Sequence, residues 1–193
     1  MRVTRPARLV ALAAAMLVLA SQASPANASD ASALQDKIRA ALRSAKSFVM
    51  TATVKAGTPG APAGGSVVYT VVAPDRYRQV SSPTLGADDT ILIGNQIYGH
   101  KGAGWDVQTW TNALVAGFES DVFLVDVTSV DGTNFVMRYP HEGPNKQTLL
   151  CTYDPQTFRP QTCTGEELTL TYAQYDDPSI AIPTPPNAKR EDQ

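Results

Sequence analysis

Histidine and cysteine are scarce in this chain, with two of each among 193 residues. His100 follows a glycine and His141 a proline, each at the end of a strand-like stretch where a side chain stays solvated. A Ser-His-Asp site would need one of them beside an activated serine, and no Gly-x-Ser-x-Gly elbow occurs. A zinc site wants clustered His and Cys ligands, which so few residues do not supply. Asp88-Asp89 and Asp176-Asp177 lack the alternating oxygen ligands of a calcium loop and read as solvated turn residues. The glycines fall between strand-like stretches and none opens a helix, so no phosphate cradle is present. The chain therefore reads as a non-enzyme with no catalytic residue, no metal and no cofactor. A hydrolase of unfamiliar layout is the least favoured alternative.

Long apolar runs are missing too. Leu9–Ala20 is the longest, about a dozen residues against the roughly 20 a spanning helix needs. Arg2, Arg5 and Arg8 precede it and Ala26-Asn27-Ala28 follows, the layout of a cleaved secretory signal. No cysteine lies near the cleavage region, which excludes a lipid anchor on a new N-terminal Cys. The expectation is a signal over 1–28, a soluble periplasmic or secreted protein from Ser29, and no stable membrane insertion. Thirteen basic residues then face eighteen acidic ones, a formal charge of −5. With no run of like charge, nucleic acid and anionic membrane surfaces are disfavoured as partners.

What is present is one helix and many strands. Ser32-Ala33-Leu34-Gln35 has the form of a capping box. Leu34, Ile38, Ala41 and Leu42 continue at helical spacing, predicting a helix from Ser32 to about Ser44. The period then drops to two: Phe48, Met50, Ala52 and Val54 alternate with Val49, Thr51, Thr53 and Lys55. A Gly/Pro/Ala connection, Gly57–Gly65, leads to Ser66–Ala73, which is apolar on nearly both faces. Further strands are predicted at Arg76–Ser82, Thr90–Ile93, Gln96–Gly99 and Trp105–Gln108, with Gly94-Asn95 as a hairpin turn. Residues 112–116 suit one or two helical turns. Strand patterning resumes at Val122–Val130, Phe135–Tyr139, Gln147–Tyr153, Phe158–Cys163 and Leu168–Tyr175. After Pro178 the prolines and terminal charges predict an extended, then disordered tail, giving one domain over 29–183 and a tail over 184–193.

Cys151 and Cys163 flank the turn signal Asp154-Pro155-Gln156-Thr157, whose residue 157 is the midpoint between them. A hairpin symmetric about it sets the cysteines opposite each other, within disulfide reach in an oxidising compartment.

This order predicts an α+β fold: a strongly curved antiparallel sheet, an incomplete or half barrel, with an N-terminal helix covering part of its concave face. One three-turn helix cannot cover about ten strands, so an apolar hollow should remain. Strand parity assigns its wall to Phe48, Met50, Tyr69, Val71, Ile91, Ile93, Phe135 and Met137, with Leu114, Val115 and Phe118 as a lid. Burying an acyl chain of about 16 carbons there yields on the order of 12 kcal/mol gross, at ~0.8 kcal/mol per CH₂. Lipid binding of this kind needs no polar motif.

The same order of parts resembles the periplasmic lipoprotein-carrier superfamily, which includes the outer-membrane lipoprotein chaperone and mycobacterial lipid-binding lipoproteins. The likeness rests on a signal, a first helix, a strand like Ser47–Lys55, and the Ala73-Pro74-Asp75-Arg76-Tyr77-Arg78 stretch. The hairpin Ile91–Tyr98 and the closing Leu168–Tyr175 with Pro178–Pro183 add to it. The resemblance implies a half-open barrel whose concave face holds acyl chains, hence lipid or an acylated lipoprotein as partner. An envelope protein bound by the same fold is the alternative. Two departures stand out: there is no lipid-anchor cysteine, and Thr111–Ser120 is short for the chaperone's lid helices.

Overall fold

The computed structural model describes residues 25–116, 125–139 and 147–190. The expected signal run therefore lies outside the described residues, as do Phe118 and His141. Helix α1 spans Pro25–Ser44. Strands follow as β1 Ser47–Val54, β2 Gly65–Val72, β3 Arg76–Ser81, β4 Asp89–Ile93, β5 Gln96–Lys101 and β6 Gly104–Thr109. The second series is β7 Asp126–Asp131, β8 Asn134–Tyr139, β9 Gln147–Tyr153, β10 Pro160–Thr164, β11 Leu168–Ala173 and β12 Lys189–Arg190. Residues 112–116 form a short helical turn, as the sequence suggests. All twelve strands join one curved, unclosed sheet in the order β12-β6-β5-β4-β3-β2-β1-β11-β10-β9-β8-β7. The architecture is α+β.

Directly opposed residues share a face of the sheet, so side-chain rows can be followed from strand to strand. One row runs Phe48–Val71–Tyr77–Leu92–Ile97 through β1 to β5. Another runs Ala52–Leu170–Cys163–Cys151–Phe135 through β1 and β11 to β8. Both rows lie on one face, and their buried members join Leu34, Ile38 and Leu42 of α1 in a single core cluster. These helix positions, spaced four apart, make the apolar stripe read from the sequence. Each is at most 5% exposed, and burying such a side chain is worth roughly 1.5–3 kcal/mol.

The helix does not begin at Ser32 but seven residues earlier. Ala26, Ala28, Ala31 and Ala33 carry helical propensity back towards Pro25, which is tolerated in a first turn. Gln35 is thereby released from any capping role. Its Oε1 accepts a hydrogen bond from Val127 N at 3.0 Å, and Arg39 Nη2 donates to Val125 O at 3.0 Å. These two bonds fix α1 beside the edge strand β7.

The cysteines form the expected disulfide, paired directly across β9 and β10 with Cα atoms 3.9 Å apart. The turn is closed by the Asp154 carboxylate, which accepts hydrogen bonds from the Gln156 and Thr157 amides and is held below the usual carboxylate pKa chiefly by the first. A bulge between Pro160 and Thr162 absorbs the one residue by which the hairpin departs from symmetry.

The chain after β11 is extended and tied to the sheet as far as residue 190. Residues 176–190 lie on the face opposite α1 and end as β12, paired parallel with the edge strand β6. Ser47 Oγ donates to Asp177 O at 3.1 Å, and Arg76 Nη1 donates to Ile182 O at 2.8 Å. Asp176 anchors the start through Arg159 and the Lys46 amide, and these bonds pull its pKa down. Ile182 is buried, and Pro185 with it. Proline-rich chain is extended by nature, and an unpaired strand edge gives it backbone groups to bond.

Candidate functional site

Along β1 the core-facing row shrinks in size from Phe48 and Met50 to Ala52 and Val54. Phe48 and Met50 are fully buried. Beyond them the small Ala52 stands opposite Val67 on one side and Leu170 on the other. Where the row narrows, the space is not filled by side chains. A cavity of about 600 Å³ opens there, floored by Ala52, Val54, Val67, Tyr69 and Leu168. One wall is the β1–β2 connection, Thr58 to Ala61. Tyr139, Gln147 and Glu167 close the far end.

The wall is a folded loop despite its glycines and prolines. Gly57 N donates to Pro62 O at 3.0 Å, Ala61 N to Thr58 O at 2.9 Å and Gly64 N to Ala61 O at 2.8 Å. Gly64 has φ +65°, and a Cβ on it would lie 2.8 Å from both Ala56 N and Val54 O. No other residue fits that turn without moving backbone. Ala61 is 6% exposed, pressed down over the cavity.

The far end is polar. Gln147 Nε2 donates to Glu167 Oε2 at 3.2 Å. Gln147 Oε1 is buried and has no hydrogen-bond partner among the described residues. Gln147 and Glu167 also line a second depression of about 400 Å³ with Thr148 and Glu166. Apolar space and acidic space thus meet at one amide and one carboxylate.

The wall residues read from the sequence separate into four groups. Tyr69 lines the 600 Å³ cavity. Phe48, Met50, Phe135 and Met137 share the core face but are at most 1% exposed, packed into the closed core. Val71 borders another cavity, of about 400 Å³, at the opposite end of β1 beside Leu42, Arg43 and Tyr77. Ile91 and Ile93 do not belong with them. They oppose Arg78 and Arg76 and so lie on the tail-bearing face. Leu92 takes the core-facing place, opposite Tyr77. Ile91 is nonetheless buried, and with Ile182 it stands outside the core cluster, consistent with cover from the tail. Of the expected lid, Leu114 is 53% exposed and Val115 packs against the core.

Sequence reasoning missed Ala52, the Thr58–Ala61 wall and the Gln147–Glu167 end. The first was legible in principle, since side-chain size falls along β1, but apolarity alone hides size. The other two come together only through the β1–β2 and β1–β11 pairings.

Other candidate chemistry is accounted for structurally. Asp89 pairs with Arg78 at 2.7 Å, and Asp88 accepts from Thr90. The His100 ring meets Trp105 edge-on at 4.9 Å. Among the described residues no group of His, Cys, Asp and Glu can hold a metal. No helix among them is long and apolar enough to cross a membrane.

No family model matches the sequence, and no curated protein is similar enough to register as a relative. Similar solved structures do exist. The Mycobacterium tuberculosis lipoprotein LppX is 13% identical, with a TM-score of 0.49 over 77% of this chain and 98% of that one. The LolA superfamily protein NE2245 from Nitrosomonas europaea is 10% identical, with a TM-score of 0.39 over 78% and 94%. The Pseudomonas aeruginosa MucA/MucB complex matches at 12% identity and TM-score 0.40, over 84% of this chain and 59% of that one. The chemistry of the site rests on its own residues.

Proposed function

We propose that this protein is an exported, non-enzymatic carrier that holds an acyl chain or a similar apolar ligand on the α1-bearing face of its sheet. In this reading that face is the concave one, and α1 crosses it from β7 to the Val71 and Tyr77 end, leaving the Ala52 end to the β1–β2 loop. The observation that carries the reading is the cavity of about 600 Å³ over Ala52, left where large core side chains give way to small ones. Its size falls within the ~300–1,000 Å³ of small-ligand sites. In this reading Tyr69 and Ala52 touch the ligand, and Phe48, Met50, Phe135 and Met137 form the packed wall behind it. The Thr58–Ala61 loop is the lid in this reading, with exposed Leu114 and core-packed Val115 away from it and Phe118 outside the described residues. A signal over 1–28 and the Cys151–Cys163 disulfide fit an exported protein.

The test is to fill the cavity without disturbing the core. Ala52→Phe places a ring into existing space, so the thermal melt should stay within a few degrees of the parent. Binding of an uncharged dye that fluoresces in apolar surroundings should fall at least tenfold. A folded parent protein that binds no such dye at micromolar concentration, and carries no lipid in native mass spectrometry, would overturn the carrier reading. Capture of an envelope protein by that empty parent would favour the protein-binding alternative.

A further inference from the structure

Resting on the carrier reading, we infer that the ligand is a single unbranched hydrocarbon chain lying across the strands, and that the cavity over Ala52 measures its length. The cavity begins at Val67 on β2 and reaches Tyr139 on β8, crossing Ala52 on β1, Leu168 on β11 and Gln147 on β9. In the strand order β2-β1-β11-β10-β9-β8 that is five inter-strand steps. At ~4.8 Å per step the path runs about 24 Å along the sheet. An extended chain advances about 1.3 Å per carbon, the projection of a ~1.5 Å C–C bond, so about 18 carbons span the path. Volume agrees with length. A methylene fills about as much space as a water molecule in the liquid, ~30 Å³, so the cavity of about 600 Å³ holds about 20 of them. Two such chains do not fit.

The path is also one chain wide. On every lining strand the next core-facing residue inward is sealed: Val71 on β2, Met50 on β1, Leu170 on β11, Leu149 on β9 and Met137 on β8. None of the five is more than 3% exposed. A close-packed wall of this kind does not part for a second chain or for methyl branches. Over β1 and β2 the other side is closed by the Thr58–Ala61 loop, with Ala61 pressed down and Gly64 fixing the turn. Between wall and loop β1 offers only Ala52 and Val54, a breadth of ~7 Å along the strand.

The experiment follows displacement of the uncharged dye by straight-chain monoacylglycerols, held monomeric by a cyclodextrin whose own affinities are subtracted. Affinity should rise about fourfold per added methylene, the gain from burying each one, and level off near ~18 carbons, where the path is full. A methyl-branched chain of equal length should bind at least about tenfold more weakly than its straight counterpart. Val67→Phe shortens the path at its β2 end, so the levelling point should move to shorter chains by about two carbons or more. Val67→Leu, a smaller change at the same place, should move it by about one. Thermal melts check that both variants fold. A rise that continues through the longest chain would overturn the single-chain assignment. Equal binding of branched and straight chains, or a levelling point unmoved in both folded variants, would overturn it as well. The carrier reading survives each of those results. A parent protein that binds neither dye nor any probe removes the carrier reading itself.

Discussion

The two halves of the sheet solve the same packing problem differently. From β7 to β11 the middle of the core face is filled, and only its end at Tyr139, Gln147 and Leu168 borders the cavity: α1 is bonded to β7 and its neighbourhood, Phe135, Met137, Leu149 and Leu170 are sealed to at most 1% exposure, and a disulfide joins β9 to β10. From β1 to β6 the same face meets the C-terminal end of α1, Leu42 and Arg43 beside Val71 and Tyr77. Its residues Val67 and Tyr69 are only half-buried, its lid is a Gly/Pro loop, and extra support comes to the opposite face from the chain's own tail. One half is a scaffold, and the other tolerates a void because the scaffold holds it. That division is what a binding protein needs, since vacant apolar space costs stability.

The largest effect should separate the halves directly. Phe135→Ala in the filled half should cost about 3–5 kcal/mol, while Val67→Ala beside the cavity should cost less than about 1.5 kcal/mol. Chemical denaturation of both variants measures the difference, and equal losses would break the contrast.

Next in size is the covalent tie. Replacing both cysteines by alanine should lower stability by about 2–4 kcal/mol through the unfolded chain's regained freedom. Because the pair sits in the scaffold half, dye affinity should change less than threefold in the folded variant. A tenfold loss of affinity would show the scaffold and the hollow to be one unit.

The tail should matter less. Ile182→Ala removes the apolar contact that pins residues 176–190 to the outer face, and should cost about 1–3 kcal/mol. Amide exchange in β6 should quicken, because β12 would no longer cover that edge, while exchange in β9 stays as it was. Uniform quickening through both halves would mean the tail braces the whole sheet.

The smallest effect is electrostatic. Asp176 is held below the usual carboxylate range first by the Arg159 hydrogen bond, and Asp177 first by Ser179. Their folded-state pKa values are depressed, so the contribution is complete above the ordinary carboxylate range near ~4 and lost as pH falls through the depressed values. Both groups are exposed, so the global melt should hardly move on this account. Exchange protection of the tail amides should fall between pH 5 and pH 2 ahead of that of α1, by the pH window of ordinary carboxylate titration. Tail protection outlasting the helix in acid would place the anchor elsewhere.

Much of this fold could be read locally. The helical stripe Leu34–Ile38–Leu42, the alternation of β1, the Gly94-Asn95 hairpin and the cysteine pairing are all set within short spans, where periodicity and turn chemistry act. The disulfide is legible because its two residues belong to one hairpin. Ile91 and Ile93 show where that reasoning stops. In Thr90-Ile91-Leu92-Ile93 both alternating sets contain a large apolar residue, so parity leaves Leu92 competing with the two isoleucines. The tie is broken by β3, whose Tyr77 faces the core and whose Arg78 does not.

The sequence by itself determined the class of most of the described elements from β1 to β11 and the turn that joins the cysteines, because these depend on neighbours a few residues away. Tertiary structure alone decided which face of β4 is inward, that the tail covers a sheet edge, and where the hollow lies. Each of those follows from register between distant strands. Around Ala52 it follows further from the sizes of side chains that meet only after residues more than a hundred positions apart, Ala52 and Leu170 among them, have been paired.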